Sequence, residues 1–384
     1  CLAAPLHAEP DATETAIRAV IDEYETKVRA NTMKIIEAKT EEEKNKYRGT
    51  IPSAETYATQ VMKIVQDHLD APGSALGVKW LATQAANFPE GQIALQMLGT
   101  SHTKSAGIAA AVKALEYHPI TMAEPILKAV RESNPNLPEK AAATYALGMQ
   151  YFRLFEAATD EKAAETAKSK AMDYFQEVSS TYSKETIDGF PLADQAARTM
   201  FELANLSVGS ECPEIDGKDV DGSGFKLSDY RGKSVILMFW GGWCHACHGT
   251  LPLMNQAAEQ LKDKNAVVIG VNTDIETEAK KALADYRVGF RNVLDNTSSG
   301  PNTTLYNLRN FPTLYLIDPK GVIAIKNDSL DAMIARINEA KGRLEAALDF
   351  EWRLTGLACD VRVAASDTQF SQLEVGRGIM PFGG

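Results

Sequence analysis

Two patterns of hydrophobic positions divide the chain near residue 207. From Asp11 to about Leu206 apolar residues recur every three or four positions, and runs of β-branched residues are scarce. This spacing places apolar side chains along one stripe of a helix. After Ser207 short continuous apolar runs alternate with helical segments, which is typical of strands that are buried on both faces. The pattern predicts an all-α domain of helical hairpins followed by an α/β domain.

The N-terminal half is predicted to consist of many short helices. The first helix runs from Thr13 to about Ala38, and Pro and Gly residues separate those that follow. Further helices are predicted at about 53–69, 75–87, 90–101, 106–116, 120–133, 138–157, 161–182 and 191–205. The order of small and large residues over 147–175, with Gly148 and Phe175, resembles a tetratricopeptide hairpin. An irregular helical bundle stays open as the alternative.

The C-terminal half reads as alternating strands and helices. A hairpin is predicted over 215–225, turning at Asp221 and Gly222. Strands are predicted at about 234–240, 266–271, 313–317 and 322–326, and helices at about 247–263, 276–286 and 330–348. The domain prediction is therefore a leader or lipoprotein anchor segment at 1–10, a helical domain at 11–206, an α/β domain at 207–349 and an irregular tail at 350–384.

The first residues bear on location. Cys1 matches the lipidated first residue of a mature bacterial lipoprotein, whereas residues 1–8 also match the end of a secretory signal cleaved after Ala8. An arbitrary start at Cys1 is the third interpretation. The first two interpretations predict an exported, periplasmic or otherwise extracytoplasmic protein. Disulfides persist in such compartments.

Charge and cysteine usage narrow the function classes. The 384 residues carry a net charge of −11, and an acidic surface disfavours nucleic acid as a partner. No apolar run reaches the roughly 18 residues of a membrane span, so membrane contact is expected only through a lipid anchor at Cys1. The five cysteines are too sparse for a disulfide scaffold. Cys212 and Cys359 are expected to be buried or incidental thiols, and a bridge between them stays open.

The chemistry is expected at Cys244 and Cys247. They lie directly after the apolar strand 234–240 and open a helix, so Cys244 faces unpaired backbone N–H groups and the positive end of the helix dipole. This environment lowers the pKa of a cysteine thiol and favours its thiolate. The two-residue spacer permits a disulfide within one turn. Cys244 is therefore expected to be the exposed nucleophile, and Cys247 the more buried thiol that resolves a mixed disulfide.

Taken together with its surroundings, this motif resembles the TlpA-like thiol–disulfide oxidoreductases of the thioredoxin fold. The resemblance covers about residues 207–348 and rests on the segments 225–233, 239–240, 243–247, 270–272, 311–313 and 316–321, together with Pro252. It implies a cis-proline at Pro312 opposite the disulfide, flanked by Phe311 and Thr313 in a substrate groove that Trp243 also shapes. It implies dithiol–disulfide exchange with protein substrates and with a redox donor or acceptor protein. It implies no bound cofactor, because the electrons reside in the cysteines.

Two departures from the family bear on the redox potential. Met238 stands where thioredoxin usually carries an acidic residue, two positions before the conserved Trp240. The spacer is His245-Ala246, whereas Gly-Pro or Pro-Pro is more usual. The resemblance favours a reductase, while an imidazole that stabilises the thiolate would make the couple more oxidising. A solvent-facing His245 without such an effect is the alternative.

Other functions share parts of this pattern. The run from Cys244 to His248 also fits the haem-attachment pattern C-x-x-C-H, and two thiolates with His245 and His248 are suitable ligands for copper or zinc. A peroxidase would need Thr or Ser where the chain has Gly241. A scaffold or binding protein, in which the helical domain docks a partner, and a purely structural disulfide also remain as alternatives.

Overall fold

The computed structural model describes residues 11–342 except Asp263 and Asp328. Cys1, Cys359, the predicted leader, the predicted tail and the end of the helix predicted to reach residue 348 lie outside this part. The chain divides into two compact units between Ala197 and Arg198. The fold class is confirmed: a long helical region precedes an α/β region with a mixed sheet.

The first unit is helical, with one small hairpin. Its α8 and α9 pack closely where Gly148 faces Phe175, because a Cβ at Gly148 would lie 2.7 Å from the ring. The elements are α1 (Ala12–Glu37), α2 (Glu41–Arg48), α3 (Ala54–Asp67), α4 (Ser74–Gln84), α5 (Pro89–Leu98), α6 (Ala109–Ala114), a 3₁₀ turn (Leu115–Tyr117), α7 (Ile120–Ser133), α8 (Leu137–Ala157), α9 (Glu161–Thr181), β1 (Thr186–Ile187), β2 (Phe190–Pro191) and the start of α10 (Leu192–Asn205).

Two helices of this unit differ from the sequence prediction. Helix α2 is absent from the prediction because its eight residues lack an apolar stripe, yet the Thr40 side chain caps it by accepting from the Glu43 N–H. The helix predicted from residue 106 begins only at Ala109. Gly107 precedes it with φ +76°, a left-handed conformation outside the helical region.

The second unit is built on a five-stranded sheet in the order β7-β6-β5-β8-β9. The central β5 runs parallel to β6 and antiparallel to β8, and all seven of its residues are buried. The elements are the hairpin β3 (Asp216–Lys218) and β4 (Gly224–Lys226), then β5 (Ser234–Trp240), α11 (His245–Leu261), β6 (Ala266–Asn272), α12 (Glu276–Asp285), β7 (Arg291–Leu294), α13 (Pro301–Leu305), β8 (Thr313–Ile317), β9 (Ile323–Lys326) and α14 (Leu330–Gly342).

The two faces of β5 contribute to different cores. On one face, Ile236, Met238 and Trp240 pack in one hydrophobic cluster with Cys244 and Cys247. Its odd-numbered residues, such as Phe239, pack in a second cluster on the other face. Strand β7 and helix α13 were not predicted, because each is short and carries polar residues at buried positions.

Candidate active site

The cysteine pair lies where the central strand passes into α11. Cys244 is the N-cap residue of this helix, and its Sγ accepts a hydrogen bond from the Cys247 N–H at 3.1 Å. The two cysteines form a disulfide with a Cα–Cα distance of 5.2 Å. Cys244 is 5% exposed and Cys247 is fully buried. The order of accessibility is as expected, but in this disulfide Cys244 is largely covered rather than exposed.

An aromatic pair borders the motif. Trp243 is 55% exposed, and its ring meets Phe311 edge-on with centroids 5.1 Å apart. Its Nε1 donates to Thr273 Oγ1 at 3.3 Å. A half-exposed aromatic ring beside a disulfide offers an apolar surface to a partner chain.

Pro312 lies in the loop that enters β8. The Phe311–Pro312 peptide bond is cis, in agreement with the resemblance. Thr313 pairs with Phe239 near the end of β5, which places this loop beside the loop that carries the cysteines. The Thr313 hydroxyl donates to the Asn310 carbonyl at 2.7 Å and so closes the turn around the proline.

The two histidines near the cysteines have different surroundings. His245 and Ala246 are exposed on the first turn of α11. His248 is half-buried: its Nε2 lies 2.9 Å from the Gly242 carbonyl and 2.9 Å from the Tyr286 hydroxyl, and its ring stacks on Tyr286. The Nε2 of His248 is therefore engaged by protein groups. Within residues 11–342, apart from the two undescribed positions, no three His, Cys, Asp or Glu side chains are grouped as metal ligands.

Asp274 anchors the loop before the motif and was not predicted from the sequence. Its Oδ2 accepts from the Gly242 N–H at 2.6 Å and from Asn272 Nδ2 at 3.0 Å, and its side chain is buried. Asn272 ends β6, the parallel neighbour of β5. The carboxyl ends of parallel strands meet at one edge of a sheet. The position of Asp274, two residues after the end of β6, is therefore the sequence signal that could have placed it beside the end of β5.

Asn292 is a second supporting residue that was not predicted from the sequence. Its Oδ1 accepts from Trp240 Nε1 at 2.7 Å inside the core. Gly270 leaves the room for this bond, because a Cβ there would collide with the Asn292 amide. The indole at the end of β5 is thereby held by a partner on β7, while the neighbouring Met238 is fully buried without a polar partner.

Cys212 lies away from the motif. It packs in the cluster on the opposite face of the sheet, with its Sγ 3.0 Å from the Tyr306 hydroxyl. Burial raises the pKa of the Cys212 thiol to about 11. A thiol that stays protonated and buried is a poor nucleophile, which agrees with the expectation of a buried thiol at this position.

The fold and the site together define a class. A central strand leads into a helix capped by the first cysteine of a Cys-x-x-Cys disulfide, and a cis-proline loop lies beside it. These are the features of thioredoxin-fold thiol–disulfide oxidoreductases. Residues 208–326 match the model of the AhpC/TSA family.

Comparison with curated relatives gives the family. The thiol-disulfide oxidoreductase ResA of Geobacillus kaustophilus is 33% identical over 123 residues, which are 32% of this chain and 70% of that protein. The thioredoxin-like protein YneN of Bacillus subtilis is 36% identical over 31% of this chain and 69% of its own length. The chain belongs to the TlpA-like, ResA-type thiol–disulfide oxidoreductases, and it is an enzyme of that class.

A solved structure is similar over about a third of the chain as well. The thioredoxin domain of the thiol-disulfide oxidoreductase BVU-2223 from Bacteroides vulgatus is 30% identical, with a TM-score of 0.33, over 35% of this chain and 99% of that domain. Among the described residues, no helix combines the length and the apolar character that crossing a bilayer requires.

Proposed function

We propose that this protein is an extracytoplasmic disulfide reductase in which Cys244 attacks and Cys247 resolves. The observation that carries the assignment of roles is the geometry at the start of α11. Cys244 is the only one of the two with exposed surface, and its Sγ accepts the Cys247 N–H at a helix N-terminus. Backbone donors and the helix dipole stabilise a thiolate at that position.

The reaction moves two electrons from the cysteine pair to a substrate disulfide. The Cys244 thiolate attacks one substrate sulfur, forms a mixed disulfide and releases the other sulfur as a thiolate. The Cys247 thiol then loses its proton and attacks Cys244 Sγ, which releases the second substrate thiol and forms the Cys244–Cys247 disulfide. A redox donor protein restores the dithiol by the reverse exchange.

The surrounding residues would bind and orient the substrate. Trp243 and Phe311 present an aromatic border, and the loop closed by Thr313 presents the backbone next to Pro312. His245 and Ala246 are exposed beside Cys244 and would face the incoming chain. The extracytoplasmic location is supported by the residue class of the site, a redox-active pair that would operate among persistent disulfides.

Single cysteine variants test this proposal in the reduced full-length protein with an insulin-type disulfide substrate. C244S should abolish exchange, whereas C247S should accumulate a mixed disulfide through Cys244. C212A is the matched control, since this buried thiol lies on the other face of the sheet, and it should retain activity. A mixed disulfide that forms in C244S but not in C247S would contradict the assigned roles.

The midpoint potential of the pair decides the direction of electron flow. We expect a value near that of thioredoxin, about −270 mV, whereas a value near about −120 mV would identify an oxidant instead. For the location, a membrane-impermeant thiol reagent should label Cys244 in intact cells after mild reduction. Labelling only after lysis would contradict an extracytoplasmic site.

A further inference from the structure

The second half of α10 carries a buried carboxylate with three partners. Glu202 is 5% exposed. Its Oε2 accepts from Asn307 Nδ2 at 2.7 Å and pairs with Arg309 Nη1 at 3.0 Å, and its Oε1 accepts from Lys326 Nζ at 2.7 Å. One turn earlier, the buried Thr199 hydroxyl accepts from Arg309 Nη2 at 2.9 Å. All five residues lie in the second unit.

Two of these partners belong to the loop that carries the cis-proline. Asn307 and Arg309 stand shortly before Phe311, and Lys326 ends β9, the antiparallel neighbour of β8. The end of this loop is fixed by the turn from Thr313 to Asn310 and by β8. Its start is fixed by α10. The segment 307–313 is therefore held from both ends, with Phe311 against Trp243 between them.

The helix that provides this anchor lies outside the matched family domain. The AhpC/TSA match begins at residue 208, whereas Asn307, Arg309 and Lys326 all lie within it or at its last residue. Thr199 and Glu202 precede it. The anchor of the cis-proline loop therefore comes from a helix that precedes the residues matched by the family model. A buried carboxylate needs such a full set of donors, because removing one side of the cluster leaves uncompensated charge.

We propose that Thr199 and Glu202 are positioning residues for the substrate-binding loop 307–313. This inference rests on the proposed function, in which that loop receives the substrate chain. Glu202 contacts neither cysteine in the structure; it acts by holding Asn307 and Arg309 and therefore the path of the backbone up to Phe311. Its loss should weaken the binding of an extended protein substrate more than the chemistry of the cysteine pair.

The test compares E202Q with the wild-type protein. An amide keeps the shape of the side chain but replaces one acceptor oxygen with a donor. We expect kcat/KM for a peptide disulfide to fall about ten- to a hundredfold, mainly through KM, since a displacement of about 1 Å can cost about a hundredfold. The midpoint potential of the pair should stay unchanged, and the rate with a small, readily reduced disulfide such as 5,5′-dithiobis(2-nitrobenzoic acid) should change by less than about twofold, because neither depends on how the loop 307–313 is held. T199V, which removes the hydroxyl that accepts from Arg309, should act in the same direction with a smaller effect.

D219N is the matched control. Asp219 is likewise buried and pairs with Arg291 at 2.9 Å, but it lies by β7, at the opposite edge of the sheet from β9. A general loss of stability would appear in both variants, whereas the KM effect is expected in E202Q alone. Equal kinetic effects in the two variants, or a matching loss with the small disulfide, would overturn the positioning role.

Amide hydrogen exchange separates this inference from the proposed function. Peptides that span residues 307–313 should exchange faster in E202Q than in D219N or the wild-type protein. Unchanged protection of that segment in E202Q overturns the inference whatever the activity. A wild-type protein that does not reduce a peptide disulfide contradicts the proposed function. The amide hydrogen-exchange data still decide whether Glu202 positions the loop 307–313.

Discussion

Replacing Asp274 tests how the loop before Cys244 is held. One oxygen of its carboxylate, Oδ2, receives both the Gly242 N–H and Asn272 Nδ2, at 2.6 and 3.0 Å. D274N can keep both bonds, because the amide oxygen can occupy the Oδ2 position. D274A keeps neither. The pair of variants therefore separates the loss of a charged acceptor from the loss of any acceptor.

The structure gives a magnitude for each variant. Bonds to a charged acceptor contribute about 1.5–3 kcal/mol each and neutral ones about 1 kcal/mol, so weakening both bonds in D274N should lower the free energy of unfolding of the second unit by roughly 1–4 kcal/mol. D274A leaves two donors without a partner, and each unsatisfied buried donor costs about 1–3 kcal/mol, or roughly 2–6 kcal/mol in total. The order of stability should be wild type, then D274N, then D274A.

Native-state hydrogen exchange of the β5 and β6 amides is the suitable assay. It reports on the second unit alone, whereas a single unfolding curve of a chain with two compact units mixes both. The oxidised protein is used, so that the disulfide is the same in all three proteins. If D274A and D274N lose the same stability within about 0.5 kcal/mol, the carboxylate does not anchor Gly242 in the way argued above.

Two further predictions concern the core of the second unit. Burial raises the pKa of Cys212 from 9.0 to about 11. The folded protein therefore keeps a proton that the unfolded chain loses, and this contribution to the free energy of unfolding should be complete below about pH 9 and fall by about 3 kcal/mol as the pH rises to about 11. In C212A the free energy of unfolding should not show this loss between about pH 9 and pH 11. If the free energies of unfolding of C212A and the wild-type protein change with pH in parallel, the prediction is wrong. G270A should push a methyl group into Asn292 and against Trp240 Nε1, at 2.9 Å, and destabilise the unit by about 1–3 kcal/mol or more in a denaturant titration. A neutral effect would show that the Trp240–Asn292 bond can shift freely.

The local sequence predicted the reactive element itself. The apolar run of β5, the cysteine at the N-cap and the helix after it are consecutive in the chain, and periodicity and capping are properties of neighbouring residues. The cis-proline at Pro312 was predicted through the family resemblance, which rests on the order of the later sequence segments. The Phe311–Pro312 peptide bond is cis in the structure. The roles of the two cysteines follow from the same local arrangement and await the variants proposed above.

The supports of the site depended on the tertiary structure. Asp274 reaches Gly242 across 32 residues, Asn292 reaches Trp240 across 52, and Glu202 reaches Asn307 across 105. Hydrophobic periodicity marks the buried face of a helix or strand, but it does not indicate which polar residue on that face will meet which partner. Which donor meets which acceptor is decided only when strands β5, β6 and β7 and the end of α10 come together. The sequence by itself therefore determined the reactive pair and its helix, whereas the folded structure decided what holds them, because a buried polar group is defined by its partner and not by its position in the chain.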